Sequence, residues 1–277
     1  PNFGDIMTIN PKSLPDFDLM ISGFPCQPFS VVGPRTGFCD PRGHIIFGLI
    51  RIMKEKKTKY FIFENVKGLL NHNSGITLQI ILKELREAGY KVFWKLVNSV
   101  DFGVPQLRER LYFVGMREDL TKDGIGFEFP KPTPKPALRN YLIDTADLEF
   151  KDPQKSYRTF LRYLSNRYNR GKFSVEEMLK EEYLIVDTRQ SDLRLYRDVV
   201  PTLRAGRHGI LYVRDGRFRR LSGYEALLLQ GWPVELAEKT RGEVEEVTLL
   251  GQAGNAMTTN VVEAFGRSLI KFIRKCE

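Results

Sequence analysis

Residues 60–66, Tyr60-Phe61-Ile62-Phe63-Glu64-Asn65-Val66, decide how the fold is read. The stretch is short, aromatic and β-branched, and it opens with four consecutive apolar residues, so it reads as a buried strand. Upstream, HIIFGLIRIMKEKK at 44–57 repeats its apolar residues at helical spacing and ends in lysines, which suit the negative end of the helix dipole. Before that, 16–23 reads as another buried strand. Downstream, 76–88 reads as a helix closed by Gly89, and 90–97 and 110–117 as two further strands. Strand, helix, strand, helix, strand predicts an α/β sheet with helices on its faces. The ligand crevice of such a sheet opens at the carboxyl ends of its strands.

The 277 residues suffice for one or two domains, and 42% hydrophobic with 28% charged residues is the balance of a soluble globular chain. No apolar run approaches the roughly 18 residues of a membrane helix, and no secretory signal opens the sequence. Cys26, Cys39 and Cys276 have no metal-ligand spacing, so no metal site is expected, and a reducing, cytoplasmic compartment is. The net charge is +9, and residues 151–220 carry about eight of those charges, mostly as arginine. That cluster is either a solvated surface or a nucleic-acid footprint. Alternation breaks down near 128, where Phe129-Pro130-Lys131-Pro132-Thr133-Pro134-Lys135-Pro136 reads as an extended, semi-rigid linker. Helical spacing returns at Glu225–Gln230 and Asn260–Lys275.

Three strand ends carry chemistry. Cys26 follows the first strand on a loop stiffened by Pro25 and Pro28, flanked by Gln27 and Ser30. It is either a small buried hydrophobe or an accessible nucleophile. Glu64 interrupts an apolar run. Desolvation would raise its pKa and let it hold a proton near neutral pH; the alternatives are an arginine partner or solvent. Arg108 and Arg110 are candidate partners, two positions apart and so on one side of an extended segment.

Together the order and spacing resemble the C5-cytosine DNA methyltransferases: Cys26 in Pro-Cys-Gln, Glu64 in Glu-Asn-Val, then Gln106-Leu107-Arg108-Glu109-Arg110. Gly4-Asp5-Ile6 is similar to the family's cofactor-adenine motif, and Asp40-Pro41-Arg42-Gly43 with Ile45 and Phe47 to the end of its mobile loop. Arg219-Arg220-Leu221, Glu225-Ala226 and Gln230-Gly231-Trp232-Pro233 resemble a late motif, and Gly254-Asn255-Ala256 the last one. The likeness is strongest to enzymes of bacterial restriction-modification systems.

The resemblance implies an α/β, Rossmann-like S-adenosylmethionine-dependent methyltransferase fold with a smaller, irregular target-recognition domain. Residues 1–128 and 219–277 would be catalytic, and 129–218 would read the target. Cys26 would add to cytosine C6, Glu64 would donate a proton at N3, Arg110 would bind O2, and Arg108 would help hold base and loop. Asp5, Gly23, Phe24, Pro25, Ile45, Asn255 and Ala256 would hold S-adenosylmethionine. The target cytosine would be flipped out of duplex DNA, with Gln27, Ser30, Val31, Val32 and Arg42 on the closing loop. Thr202, Arg204, Gly206 and Arg207 stand where the family keeps a recognition loop. The arginines would read guanine or touch only phosphate. Two alternatives stay open: an RNA (tRNA) cytosine-5 methyltransferase, and a non-catalytic nucleic-acid-binding subunit of a split enzyme.

The family's glycine-rich first motif, and the acidic residue after its second strand, have no counterpart in this sequence. Without the strands that carry them, 17–23 would be an apolar, unpaired edge, which proteins avoid. The expectation is an N-terminal segment supplied separately, as a second polypeptide or as residues outside this sequence.

Overall fold

The structure, a computed structural model, describes residues 2–24, 45–144 and 153–277, and only the backbone of 153–157. In chain order its elements are β1 (Leu19–Gly23), α1 (Ile45–Lys56), β2 (Tyr60–Val66), α2 (Ile76–Glu87), β3 (Tyr90–Asn98), β4 (Gln106–Leu107) and β5 (Glu109–Arg117). There follow α3 (Pro153–Leu164), α4 (Val175–Leu179), β6 (Ile185–Asp187), β7 (Arg194–Tyr196), β8 (Val200–Pro201), β9 (Ile210–Arg214) and β10 (Arg217–Arg220). The chain closes with α5 (Gly223–Leu229), α6 (Val234–Glu238), α7 (Glu246–Asn255) and α8 (Thr259–Cys276). Two compact units result. One comprises 1–98, 109–131 and 261–277, the other 99–108 and 132–260.

The first unit is an α/β sheet of order β1-β2-β5-β3. β1 and β2 run parallel, and β5 inserts antiparallel between β2 and β3. Phe61, Ile62 and Phe63 of β2 are fully buried because a strand lies on each side and helices cover the faces. α1 and α2 bury Ile46, Leu49, Met53, Leu78, Ile81 and Leu85 against Phe61, Phe63, Leu111 and Phe113. The alternate residues of the sheet meet α8, where Phe265 stacks on Tyr112 at 4.8 Å and Phe272 meets Phe93 edge-on at 5.5 Å. Gly115, directly across from Phe61, leaves room for that ring, since a Cβ there would lie 2.0 Å from Phe61 Cε1.

The first strand corrects the sequence reading. It was expected to be buried, and to be an unpaired edge without the family's first strands; among the described residues β1 pairs with β2 alone, and Leu19 and Ile21 are 40% and 45% exposed. An apolar run shows that a segment suits a core; it does not show how many neighbours the strand has.

The second unit holds an antiparallel sheet of order β10-β9-β6-β7 and a short parallel pair, β4 with β8. Its strands run two to five residues, too short for alternation to stand out in the sequence. Its main core joins Leu138, Ile185, Leu203, Tyr212, Leu227 and Leu249. α5 and α7 pack so closely that a Cβ on Gly223 would meet Leu249 Cβ at 2.5 Å. A satellite cluster unites Phe160, Met178, Val186, Leu211 and Val213. Among the described residues no helix is long and apolar enough to cross a membrane.

Candidate active site

Strand register brings three of the expected residues together. Gly23 at the end of β1 is the Cα partner of Glu64 in β2, and Val66 two residues on is the partner of Arg110 in β5. Arg110 Nε lies 2.9 Å from Glu64 Oε1, with the side chains 15% and 10% exposed. This is the arginine pairing that the sequence left as an alternative. Oε1 is buried and accepts no hydrogen bond, so the N–H does not point at it and the contact is an ion pair without an aligned bond. Arg110 also donates from Nη1 to the carbonyl of Glu109 at 2.8 Å. The pair therefore holds a carboxyl and a guanidinium side by side at the strand ends, each with hydrogen-bonding capacity left over.

Arg108 behaves differently from its near neighbour. The two-residue spacing predicted one shared face, but β4 ends at Leu107 and β5 begins at Glu109, so 108 lies between strands. The Arg108 side chain is buried and donates to the carbonyls of Leu203 (3.0 Å), Gly254 (3.3 Å) and Ala256 (2.8 Å). Its guanidinium cross-links backbone of the second unit. Gln106, fully buried, does the same: it donates to Leu229 O at 2.9 Å and accepts from Leu203 N–H at 3.1 Å. Of the motif that begins at Gln106, two side chains are therefore structural ties and the third meets the carboxyl.

The segment 202–209 is clamped at both ends. Thr202 donates from Oγ1 to Leu107 O at 2.6 Å, which commits a hydroxyl expected to face DNA. Gly209 O accepts from both the backbone N–H and Oγ1 of Thr188, at 2.8 and 2.9 Å. Arg207 is exposed, and Gly206 adopts a positive φ of 71° at the tip. Gly254 packs against this segment: a Cβ on it would lie 2.2 Å from Ala205 N.

Among the expected cofactor residues, Asp5 is exposed on a turn where Oδ1 accepts from Met7 N–H at 2.9 Å. Arg51 of α1 pins that turn by donating to the carbonyls of Ile6 and Ile9 at 3.0 and 2.9 Å. Ile45 is half-buried at the start of α1. The Phe24 ring is a core group, 3% exposed between Phe63 and Phe113, so only its backbone is available to a ligand. Asn255 and Ala256 belong to the second unit, and the Ala256 carbonyl is taken by Arg108. Pro25, Cys26, Gln27, Ser30, Val31, Val32 and Arg42 lie outside the described residues.

One buried polar group escaped the sequence reading as chemistry. Glu225 is fully buried, forms a capping box with Ser222, and accepts from Tyr212 Oη at 2.9 Å and from Asp144 N–H at 3.2 Å. Burial pushes its carboxyl up to about 7, against the pull of those donors. Burial first, and then the neighbouring carboxylate, pushes the Tyr212 hydroxyl up as well. The legible signal was Ser-x-x-Glu at 222–225, the pattern of a capping box, which marks a helix start without revealing its burial.

Comparison with known proteins matches residues 1–271 to the model of the C-5 cytosine-specific DNA methylases. The type II methyltransferase M.NgoBI of Neisseria gonorrhoeae is 36% identical over 266 residues, covering 95% of this chain and 77% of the relative. The type II methyltransferase M.HaeII of Haemophilus aegyptius is 34% identical, with coverage of 97% and 78%. The solved Entamoeba histolytica methyltransferase EhMeth shares the fold at a TM-score of 0.61 and 16% identity, over 93% of this chain and 77% of that one. Motif order, sheet register and these relatives agree: the chain belongs to the C-5 cytosine-specific DNA methylase family.

Proposed function

We propose that the Glu64–Arg110 pair is the base-binding end of a site that methylates C5 of a cytosine flipped out of duplex DNA, with Cys26 as its nucleophile. The observation that carries this is the register: the strand that leads to Cys26 leaves the sheet at Gly23, directly beside Glu64, which is itself against Arg110. Cytosine N3 and O2 are adjacent atoms on one edge of the ring, and a carboxyl and a guanidinium 2.9 Å apart suit such an edge. Cytosine C5 is a poor nucleophile on its own. When the Cys26 thiolate bonds to C6, electron density moves towards N3 and O2 and C5 gains enamine character. Glu64 delivers a proton at N3, and Arg110 donates to O2. After C5 has taken the methyl group, loss of its proton, departure of the thiolate and return of the N3 proton to Glu64 restore the ring.

S-adenosylmethionine supplies an electrophilic methyl group. Asp5 fits its adenine amino group: the carboxylate is exposed, one oxygen holds the turn, and the other is open to an N–H donor. Gly23, Pro25, Ile45, Asn255, Ala256 and the Phe24 backbone complete the cofactor set. Gln27, Ser30, Val31, Val32 and Arg42 contact the DNA, as do Arg204 and Arg207. Arg108 is a positioning residue, and Thr202 holds the segment it begins. A separately supplied N-terminal segment that adds a strand beside β1 stays a further reading, which a second chain bound along Leu19–Gly23 would support.

A duplex carrying 5-fluorocytosine tests the assignment, because fluorine at C5 stalls a C6 adduct after methyl transfer. Wild type should give a covalent protein–DNA band on a denaturing gel, and Cys26→Ser none. Methyl transfer to duplex DNA by Cys26→Ser would sink the assignment of the nucleophile. Transfer to tRNA in preference to DNA would favour the RNA alternative, against which the family membership speaks.

A further inference from the structure

In the second unit, the β6–β7 turn faces the segment that starts at Thr202 across an open cleft of about 130 Å³, lined by Gln190, Arg194, Tyr196, Thr202 and Arg204 among others. The turn is built as a rigid frame. Arg189, its side chain 4% exposed, grips Asp187 with two hydrogen bonds of 2.7 and 2.8 Å and donates to Thr202 O at 2.6 Å. From behind, the fully buried Asn169 donates to Ser191 O at 2.7 Å and accepts from Leu193 N–H at 3.2 Å. Asp187, the acidic side chain that lines the cleft among the described residues, is thus neutralised by Arg189, whose Nε, Nη1 and Nη2 are each engaged by the frame.

Two side chains on this frame are not used by the fold. Arg194 is exposed and Gln190 half-buried. Neither makes a side-chain hydrogen bond or ion pair among the described residues, although both line the cleft. A guanidinium and a carboxamide, held on a pinned turn beside a basic segment, are the groups that grip the hydrogen-bonding edges of guanine and adenine.

We propose that Gln190 and Arg194 read bases of the DNA target, forming with Arg204 the two walls of one recognition cleft. The proposal rests on the DNA methyltransferase reading and adds to it which side chains outside 202–209 set the sequence context. The test is methylation of a random duplex library by the active enzyme, read by bisulfite sequencing, for wild type, Gln190→Ala and Arg194→Ala. Each variant should be as stable as wild type, with an unchanged thermal midpoint, while its preference at one base position near the target falls on the order of tenfold or more. Unchanged context, or a uniform loss in every context with a shallower salt dependence, would overturn the proposal and leave Arg194 a phosphate contact at most. If wild type itself methylated no cytosine in any context, the underlying reading would fail instead, so the two failures are distinct.

Discussion

Alanine at Gly254 and alanine at Gly251 should move stability in opposite directions, although both glycines lie in α7. Intrinsic helix propensity favours alanine over glycine by about 0.5–1 kcal/mol at either position. At Gly251 nothing lies within 4 Å of the added Cβ, so that gain should appear in full. At Gly254 the Cβ would meet Ala205 N at 2.2 Å, Arg204 C at 2.4 Å and Ala205 Cα at 3.0 Å, all backbone atoms. To regain the ~3.5 Å of ordinary contact, the two segments must part by about 1 Å. Overpacking of that kind costs about 1–3 kcal/mol. The same displacement stretches the Arg108 bonds to Leu203 O and Gly254 O, charge-assisted bonds worth about 1.5–3 kcal/mol when intact. The expected balance is a loss of about 2–4 kcal/mol for Gly254→Ala against a gain below ~1 kcal/mol for Gly251→Ala. Urea midpoints of the two variants and wild type, measured side by side, decide it. A Gly254→Ala midpoint at or above that of wild type would refute the packing argument and return the position to simple helix propensity.

Glu225 makes stability depend on pH. Its folded pKa, about 7, lies above the ordinary 4.5, so the folded state keeps a proton that the unfolded chain loses. This contribution is fully present below pH 4.5, falls as pH climbs to about 7 and is then exhausted, a swing on the order of 3 kcal/mol. Tyr212→Phe removes a donor that holds this carboxyl down, so it should cost about 1–3 kcal/mol and carry the decline to higher pH. Identical pH slopes for the variant and wild type in denaturation curves would count against it. In the first unit, Gly115→Ala would drive a methyl to 2.0 Å from the Phe61 ring, which is locked on Phe63 at 4.5 Å, and should cost about 1–3 kcal/mol or more. Phe61→Leu in the same chain should recover part of that loss; strictly additive costs in a double-mutant cycle would show that the ring is not the obstacle.

Strand and helix periodicity made the first unit legible: 60–66 appears unchanged as β2, and the expected helix at 76–88 differs from α2 by one residue. Motif order was enough to single out Glu64 and Arg110, because each chemical group sits in a local pattern that a linear reading can see. The partners of those groups were not legible. Arg108 and Arg110 look equivalent in one dimension, but a break between β4 and β5 sends one guanidinium to backbone carbonyls and the other to a carboxyl. Glu64 found its arginine because β5, later in the chain than β3, slots between β2 and β3, a choice made by long-range pairing. The same holds for Gly254, whose need for glycine arises from backbone nearly fifty residues away, and for Glu225, whose pKa is set by the elements that wall it off from water. Sequence by itself determined which groups are present and which secondary structure carries them. Only the tertiary structure decided which groups meet and how dry their surroundings are, since contact and desolvation depend on elements that are far apart in the chain.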